Sequence, residues 1–177
     1  YSKSDPNALV DKKASPGTPS LYSNLQKIQR EGGIIFGQQD ATLYGRNWSG
    51  DENRSDVMDV TGSHPAMIGF DLESVTLKDD ELLKQKQTEE LIEAVKDTYN
   101  RGGVVTFSWH AHNPANDGSF YWEKNPVKVV SDILPGGKFH EVYKADLRDV
   151  ANVANKLRGD KGELIPVIFR PFHEFDG

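Results

Sequence analysis

Glu174 sits five residues beyond the apolar run Leu164-Ile165-Pro166-Val167-Ile168-Phe169, in the stretch "RPFHEFDG". A strand that stops there delivers a carboxyl group into solvent or into a site. Flanked by Phe172 and Phe175, that carboxyl is expected to be partly desolvated, which raises its pKa. A raised carboxyl pKa is what a general acid needs near neutral pH. A surface glutamate in a βα loop would look the same. Arg170 and His173 beside it tip the reading toward chemistry, although Arg170 is also read as an ion-pair partner for Asp71 or Asp40.

His110 stands directly after a second apolar run, in "VVTFSWHAHNP". His64, His110 and His173 are three of the five histidines, and all lie next to apolar runs. For any one of them, a satisfied core histidine is the plain alternative. Trp109, Tyr44, Trp48, Tyr121 and Trp122 add aromatic surface in the same loops. Such rings with polar neighbours suit sugars, whose C–H faces are apolar and whose rims are hydroxyl. For Trp48 the alternative is that the ring fastens its loop. His110-Ala111-His112, with His173, Asp71 or Glu174, resembles a metal set. However, Asn113-Pro114 reads as a turn that orients His110, so no metal ligand is assigned. No glycine-rich loop follows a strand, so phosphate cofactors have no cradle.

The elements that must position these residues alternate in type. Residues 1–19 carry Pro6, Pro16, Gly17 and Pro19 and read as an extended lead-in to a domain over 20–177. A helix is expected over Ser20–Arg30, stopped by Gly32-Gly33. Strands are expected at Ile34–Phe36, Ala66–Phe70, Val104–Ser108 and Ile165–Phe169, and helices at Asp79–Tyr99 and Phe139–Leu157. The strands are short, continuous apolar runs, the mark of a parallel sheet buried on both faces. Each releases polar or aromatic residues at its carboxyl end, the edge on which parallel α/β folds build sites. A closed eight-stranded barrel needs about 250 residues, and no fewer than about 200, so 177 residues supply either an open sheet or half a barrel.

Composition narrows the function. A net charge of −6 and a pI near 5.4 oppose binding to a nucleic-acid backbone. No cysteine is present, which removes disulfide and thiolate chemistry. No apolar stretch approaches the ~20 residues of a membrane helix. Tyr1 reads as the start of a processed chain without its signal peptide.

The blocks "FGQQDATLYG", "HPAMIGFDLE", "RGGVVTFSWHAHNP", "LPGGKFHEVYK" and "IPVIFRPFHEFDG" together resemble family-26 glycoside hydrolases, chiefly β-mannanases. The resemblance runs from about Leu21 to Gly177 and implies the first four units of a (β/α)₈ TIM barrel. It implies a retaining endo-β-1,4-mannanase without cofactor, acting on mannan, galactomannan or glucomannan. A β-1,3-1,4-glucanase, a β-1,3-xylanase or a silent polysaccharide-binding fragment are its alternatives. Glu174 matches the family's acid/base, while His173, His110 and Trp122 match sugar contacts. The nucleophilic glutamate belongs to a later strand and has no counterpart here. The segment alone is therefore expected to be inactive, and its partners are expected to be β-mannan and a C-terminal half-barrel. The resemblance also implies a secreted, periplasmic or cell-surface location.

Overall fold

The computed structural model describes residues 9, 11–115, 120–121 and 129–174. In chain order these form α1 (Gly17–Arg30), β1 (Gly37–Gln39), β2 (Tyr44–Gly45), β3 (Trp48–Ser49), α2 (Asp56–Thr61) and β4 (Met67–Asp71). A 3-10 turn at Glu73–Thr76 leads into α3 (Glu81–Asn100), followed by β5 (Val104–Ser108), α4 (Val130–Ile133), α5 (His140–Lys156) and β6 (Val167–Arg170).

β1, β4, β5 and β6 form one sheet in that order, and every pair is parallel. Each crossover carries helix, as parallel pairing requires. This is the arrangement that the resemblance implies for the first four units of a (β/α)₈ barrel. Local chemistry sets the helix limits. Ser55 and Asp80 cap α2 and α3 by accepting the Met58 and Leu83 N–H groups, the usual way to satisfy first-turn donors. Gly102, at φ 85°, turns the chain out of α3 in a conformation that costs glycine little.

Register sorts the residues by face. Phe70 pairs with Phe107, and Phe107 with Phe169; one step back are Ile68, Val105 and Val167. Ile68, Phe70, Val105 and Phe107 are buried in one cluster with Leu91, Ile92 and Val95 of α3 and Val153 of α5. The alternate positions fall on the opposite, concave face. There Gln39, Gly69, Thr106 and Ile168 form one row, and Asp71, Ser108 and Arg170 the next. A Cβ at Gly69 would collide with the Gln39 side chain, so this glycine makes room for a polar group inside the curve.

Several expectations are corrected here. The strands are not apolar on both faces, because the second face carries Gln39, Thr106, Asp71, Ser108 and Arg170 beside Ile168. Ile34–Phe36 is not a strand. Pairing begins at Gly37, while Ile34 and Phe36 are 95% and 61% exposed on an edge that no other strand of the described residues covers. α1 begins at Gly17, inside the stretch expected to be extended. The long loop after β1 holds the β2–β3 hairpin and α2, where only irregular structure was expected. The short helix α4 was not expected; the remaining elements lie within about two residues of their expected limits, and β5 matches at both ends.

Phe70 is fully buried and packs its ring 6.4 Å from Phe107. Phe70→Ala should destabilise the full-length protein by about 3–5 kcal/mol, measured by denaturant unfolding. A loss below about 1 kcal/mol would remove Phe70 from the centre of the core.

Candidate active site

The carboxyl ends of β4, β5 and β6 bring Asp71, His110 and His173 together. One ligating atom from each lies within 4.8 Å of the others. Asp71 closes β4 and faces Ser108 at the same level of β5. Its Oδ2 accepts from the Ser108 hydroxyl at 2.5 Å and lies 2.8 Å from His110 Nδ1. Its Oδ1 accepts the backbone N–H groups of Glu73 at 2.8 Å and His110 at 3.2 Å. Gln39 Nε2, from β1, reaches the Ser108 hydroxyl at 3.5 Å. Asp71 thereby ties β4 to β5, and the Ser108 hydroxyl extends the linkage to β1.

The His110 ring lies edge-on to the His173 ring, 4.5 Å away at 88°. Phe120 packs on His110 at 4.8 Å and on His112 at 5.6 Å. His173 Nδ1 is buried with no hydrogen-bond partner among the described residues. Glu174 follows on the rim, exposed. Its φ of 55° places it in the left-handed region. The other non-glycine residues described there are Asp40, Asn47 and Asn53, whose short side chains tolerate it. A glutamate in that conformation is the costlier case, and such outliers gather where geometry serves function.

Two neighbouring carboxylates are driven in opposite directions. Burial pushes Asp71 up, but the hydrogen bonds from Ser108, His110 N–H and Glu73 N–H outweigh it and hold the group below the ordinary carboxylate range. Burial pushes Asp40 up, the nearby Asp71 charge adds to it, and the Tyr44 hydroxyl, donating at 3.2 Å, only partly offsets them. Asp40, Tyr44, Asp71 and Glu73 line one open groove beside α3.

Some expected site residues lie elsewhere. His64 precedes β4, at the opposite edge of the sheet, with its ring nitrogens on Ser55 and Asn53 at 3.0 and 3.1 Å. Trp109, expected on the aromatic surface, is 3% exposed and stacks on Tyr143 of α5. Trp48 is buried, and its indole N–H donates to Asp56 Oδ1 at 2.6 Å, so it fastens the hairpin to α2. Arg170 does not pair with Asp71 or Asp40. Its Nε donates to Thr106 Oγ1 at 3.0 Å, across the concave face. Phe172 is 70% exposed and does not enclose Glu174. Trp122 lies outside the described residues. His110 and His112 do not converge on one point: His110 turns to Asp71 and His112 to Glu73, at 3.0 Å. Asp71 already has four hydrogen-bond partners, which occupy a carboxylate's acceptor positions. The Ser108–Asp71–His110 linkage was not foreseen, because its members are up to 39 residues apart.

Four parallel units with polar residues gathered at the carboxyl edge define part of a (β/α)₈ barrel. Residues 10–177 match the model of glycosyl hydrolase family 26, and the chain belongs to that family. A mannan endo-1,4-β-mannosidase of Bifidobacterium adolescentis is 33% identical over 173 residues, covering 96% of this chain and 17% of that protein. One from Thermothelomyces thermophilus is 27% identical, covering 96% and 34%. Among solved structures, a GH26 β-mannanase from Bacteroides ovatus has a TM-score of 0.83 at 37% identity, covering 93% of this chain and 47% of that one. A modular endo-β-1,4-mannanase from Cellulomonas fimi has a TM-score of 0.84 at 33% identity, covering 96% and 38%. The chain thus spans less than half the length of these relatives.

The opposed shifts of Asp71 and Asp40 predict opposite pH dependences. A carboxylate held low stabilises the fold above its unfolded pKa, roughly 4, and loses that contribution as pH falls through its folded value. One pushed high favours the fold at low pH and loses that contribution as pH rises through its folded value. Asp71→Asn should therefore lower the melting temperature at about pH 7, by an amount that shrinks toward about pH 3. Asp40→Asn should become relatively more stabilising as pH rises over the same range. Parallel pH–melting curves for the two variants would contradict this assignment.

Proposed function

We propose that the intact protein is a retaining endo-β-1,4-mannanase acting on mannan, galactomannan or glucomannan, with Glu174 as its acid/base. The observation that carries this reading is the position of Glu174. It follows His173 just beyond β6, on the carboxyl edge of a family-26 barrel half whose relatives above are mannanases. In this mechanism Glu174 protonates the leaving glycosidic oxygen, then deprotonates the water that releases the sugar. His110, His173 and Trp122 hold the sugar beside it.

Retention of configuration requires a second carboxyl group about 5–5.5 Å from the first to attack the anomeric carbon. Asp71 is poorly suited, since all of its acceptor positions are engaged. The nucleophile is assigned to a strand outside these residues, in a C-terminal half-barrel that pairs with the open edges of β1 and β6. Exposed Ile34 and Phe36 on one edge and Phe169 on the other suit such a partner. That half and the bound polysaccharide supply the desolvation that Glu174 lacks here. An extracellular polymer as substrate requires export, and no helix among the described residues is long and apolar enough to cross a membrane.

In the full-length protein, Glu174→Ala should lower turnover of polymeric mannan by about 10²–10⁴-fold. Aryl mannosides with good leaving groups should lose less in the glycosylation step, since they need little protonation. Undiminished reducing-sugar release from mannan by this variant would exclude Glu174 as the acid/base. Residues 1–177 alone should release no sugar from galactomannan; turnover at the full-length rate would refute the need for a second half. Faster release from lichenan or xylan than from mannan would reassign the substrate.

A further inference from the structure

Asp71 grips both the backbone and the side chain of His110. Oδ1 takes the His110 N–H at 3.2 Å, and Oδ2 meets Nδ1 at 2.8 Å. The remaining contacts of this carboxylate are donors as well, the Ser108 hydroxyl and the Glu73 N–H. An oxygen so placed is an acceptor, so the proton between it and the imidazole belongs on Nδ1. The ring has little freedom to turn. His173 stands edge-on 4.5 Å from it and Phe120 packs at 4.8 Å. Flipping the imidazole by half a turn would set a C–H against Oδ2 and leave that oxygen one donor short.

We propose that Asp71 is a positioning residue that fixes His110 in its Nδ1–H tautomer, so that Nε2 is offered to the substrate as a hydrogen-bond acceptor. The proposal rests on the reading of His110 as a sugar contact. Its consequence is directional. A sugar hydroxyl can donate or accept, and an acceptor nitrogen makes it donate. The hydroxyl oxygen keeps its lone pairs for other donors in the cleft. Carboxylate partners set histidine orientation and tautomer in the same way at metal centres and in hydrolase triads.

Asp71→Asn separates charge from shape. The amide oxygen can still accept the two backbone N–H groups. The amide NH₂ then faces Ser108 and His110, and a neutral imidazole can only answer with an accepting Nδ1. The proton moves to Nε2, and the acceptor offered to the sugar becomes a donor.

The test uses the full-length protein with ¹⁵N-labelled histidine. Two-bond ¹H–¹⁵N correlation spectra at a pH where the ring is neutral distinguish the tautomers, with His110→Ala assigning the signals. The wild type should show the Nδ1–H pattern and Asp71→Asn the Nε2–H pattern. kcat/KM on manno-oligosaccharides should fall roughly 10–100-fold, the range for outer partners that orient a histidine. Ser108→Ala, which removes a donor to Asp71 without touching the ring, should keep the Nδ1–H pattern. An Nε2–H pattern for His110 in the wild type overturns the proposal even if Asp71→Asn does not fold. So does an unchanged pattern in Asp71→Asn, or an inverted pattern with undiminished kcat/KM on a substrate that the wild type turns over. A protein with no activity on mannan but the expected tautomer inversion would refute the mannanase reading and uphold the Asp71–His110 pairing.

Discussion

Parallel register is the constraint from which the site follows. With Phe70 opposite Phe107, Asp71 must stand opposite Ser108, and Ser108 opposite Arg170. Side chains alternate across a strand, so burying the phenylalanine row against α3 and α5 turns the next row to the concave side. Strands β4 and β5 run out at this level, where the backbone is free to bend and backbone N–H groups become available. Asp71 uses two of them. A slip of one residue in β5 would bury Ser108 among the helices and send Phe107 into the cleft. The hydrophobic core therefore sets the position of the polar site.

The same row explains why two acidic groups can sit side by side. Asp71 is ionised because β5 and the turn after β4 supply donors to it, and its charge helps to push Asp40 upward. One carboxylate is thereby built into the frame. The other is pushed up by burial, with Tyr44 on it and a left-handed backbone under it.

How much of this was legible in the sequence depended on whether the cause was local. β5 was read correctly at both ends because Gly102-Gly103 opens it and the polar "WHAHN" closes it. α3 was bounded to within two residues, its end marked by Arg101-Gly102-Gly103. Ile34–Phe36 looked like a strand because apolar runs in α/β proteins are usually covered. Coverage is a tertiary property, and at an open edge the pairing falls to Gly37–Gln39 instead. Trp109 misled for the same reason, since only the packing of Tyr143 shows that its ring turns to the helices rather than to the cleft. Glu174, His110 and His173 were legible as residues placed just beyond strand ends. The Asp71 linkage was not, because no periodicity connects residues 37 or 39 positions apart. The left-handed backbone at Glu174 has no sequence signature either, since glutamate is an improbable residue for it.

The distribution of functional groups along the chain then has a physical logic. A proton donor must be placed to within a fraction of an ångström of a glycosidic oxygen, and a mobile histidine beside it would blur that placement. Here the residue before Glu174 is His173, His173 abuts His110, and His110 meets the Asp71 carboxylate, which Ser108 joins to β5 and, through Gln39, to β1. Rigidity passes from the sheet to the catalytic edge without a flexible link in Asp71 or His110. In the mannanase proposed above, the half outside these residues would bring both the water-excluding wall around Glu174 and the second carboxylate, so that one half of the barrel places the proton and the other the nucleophile.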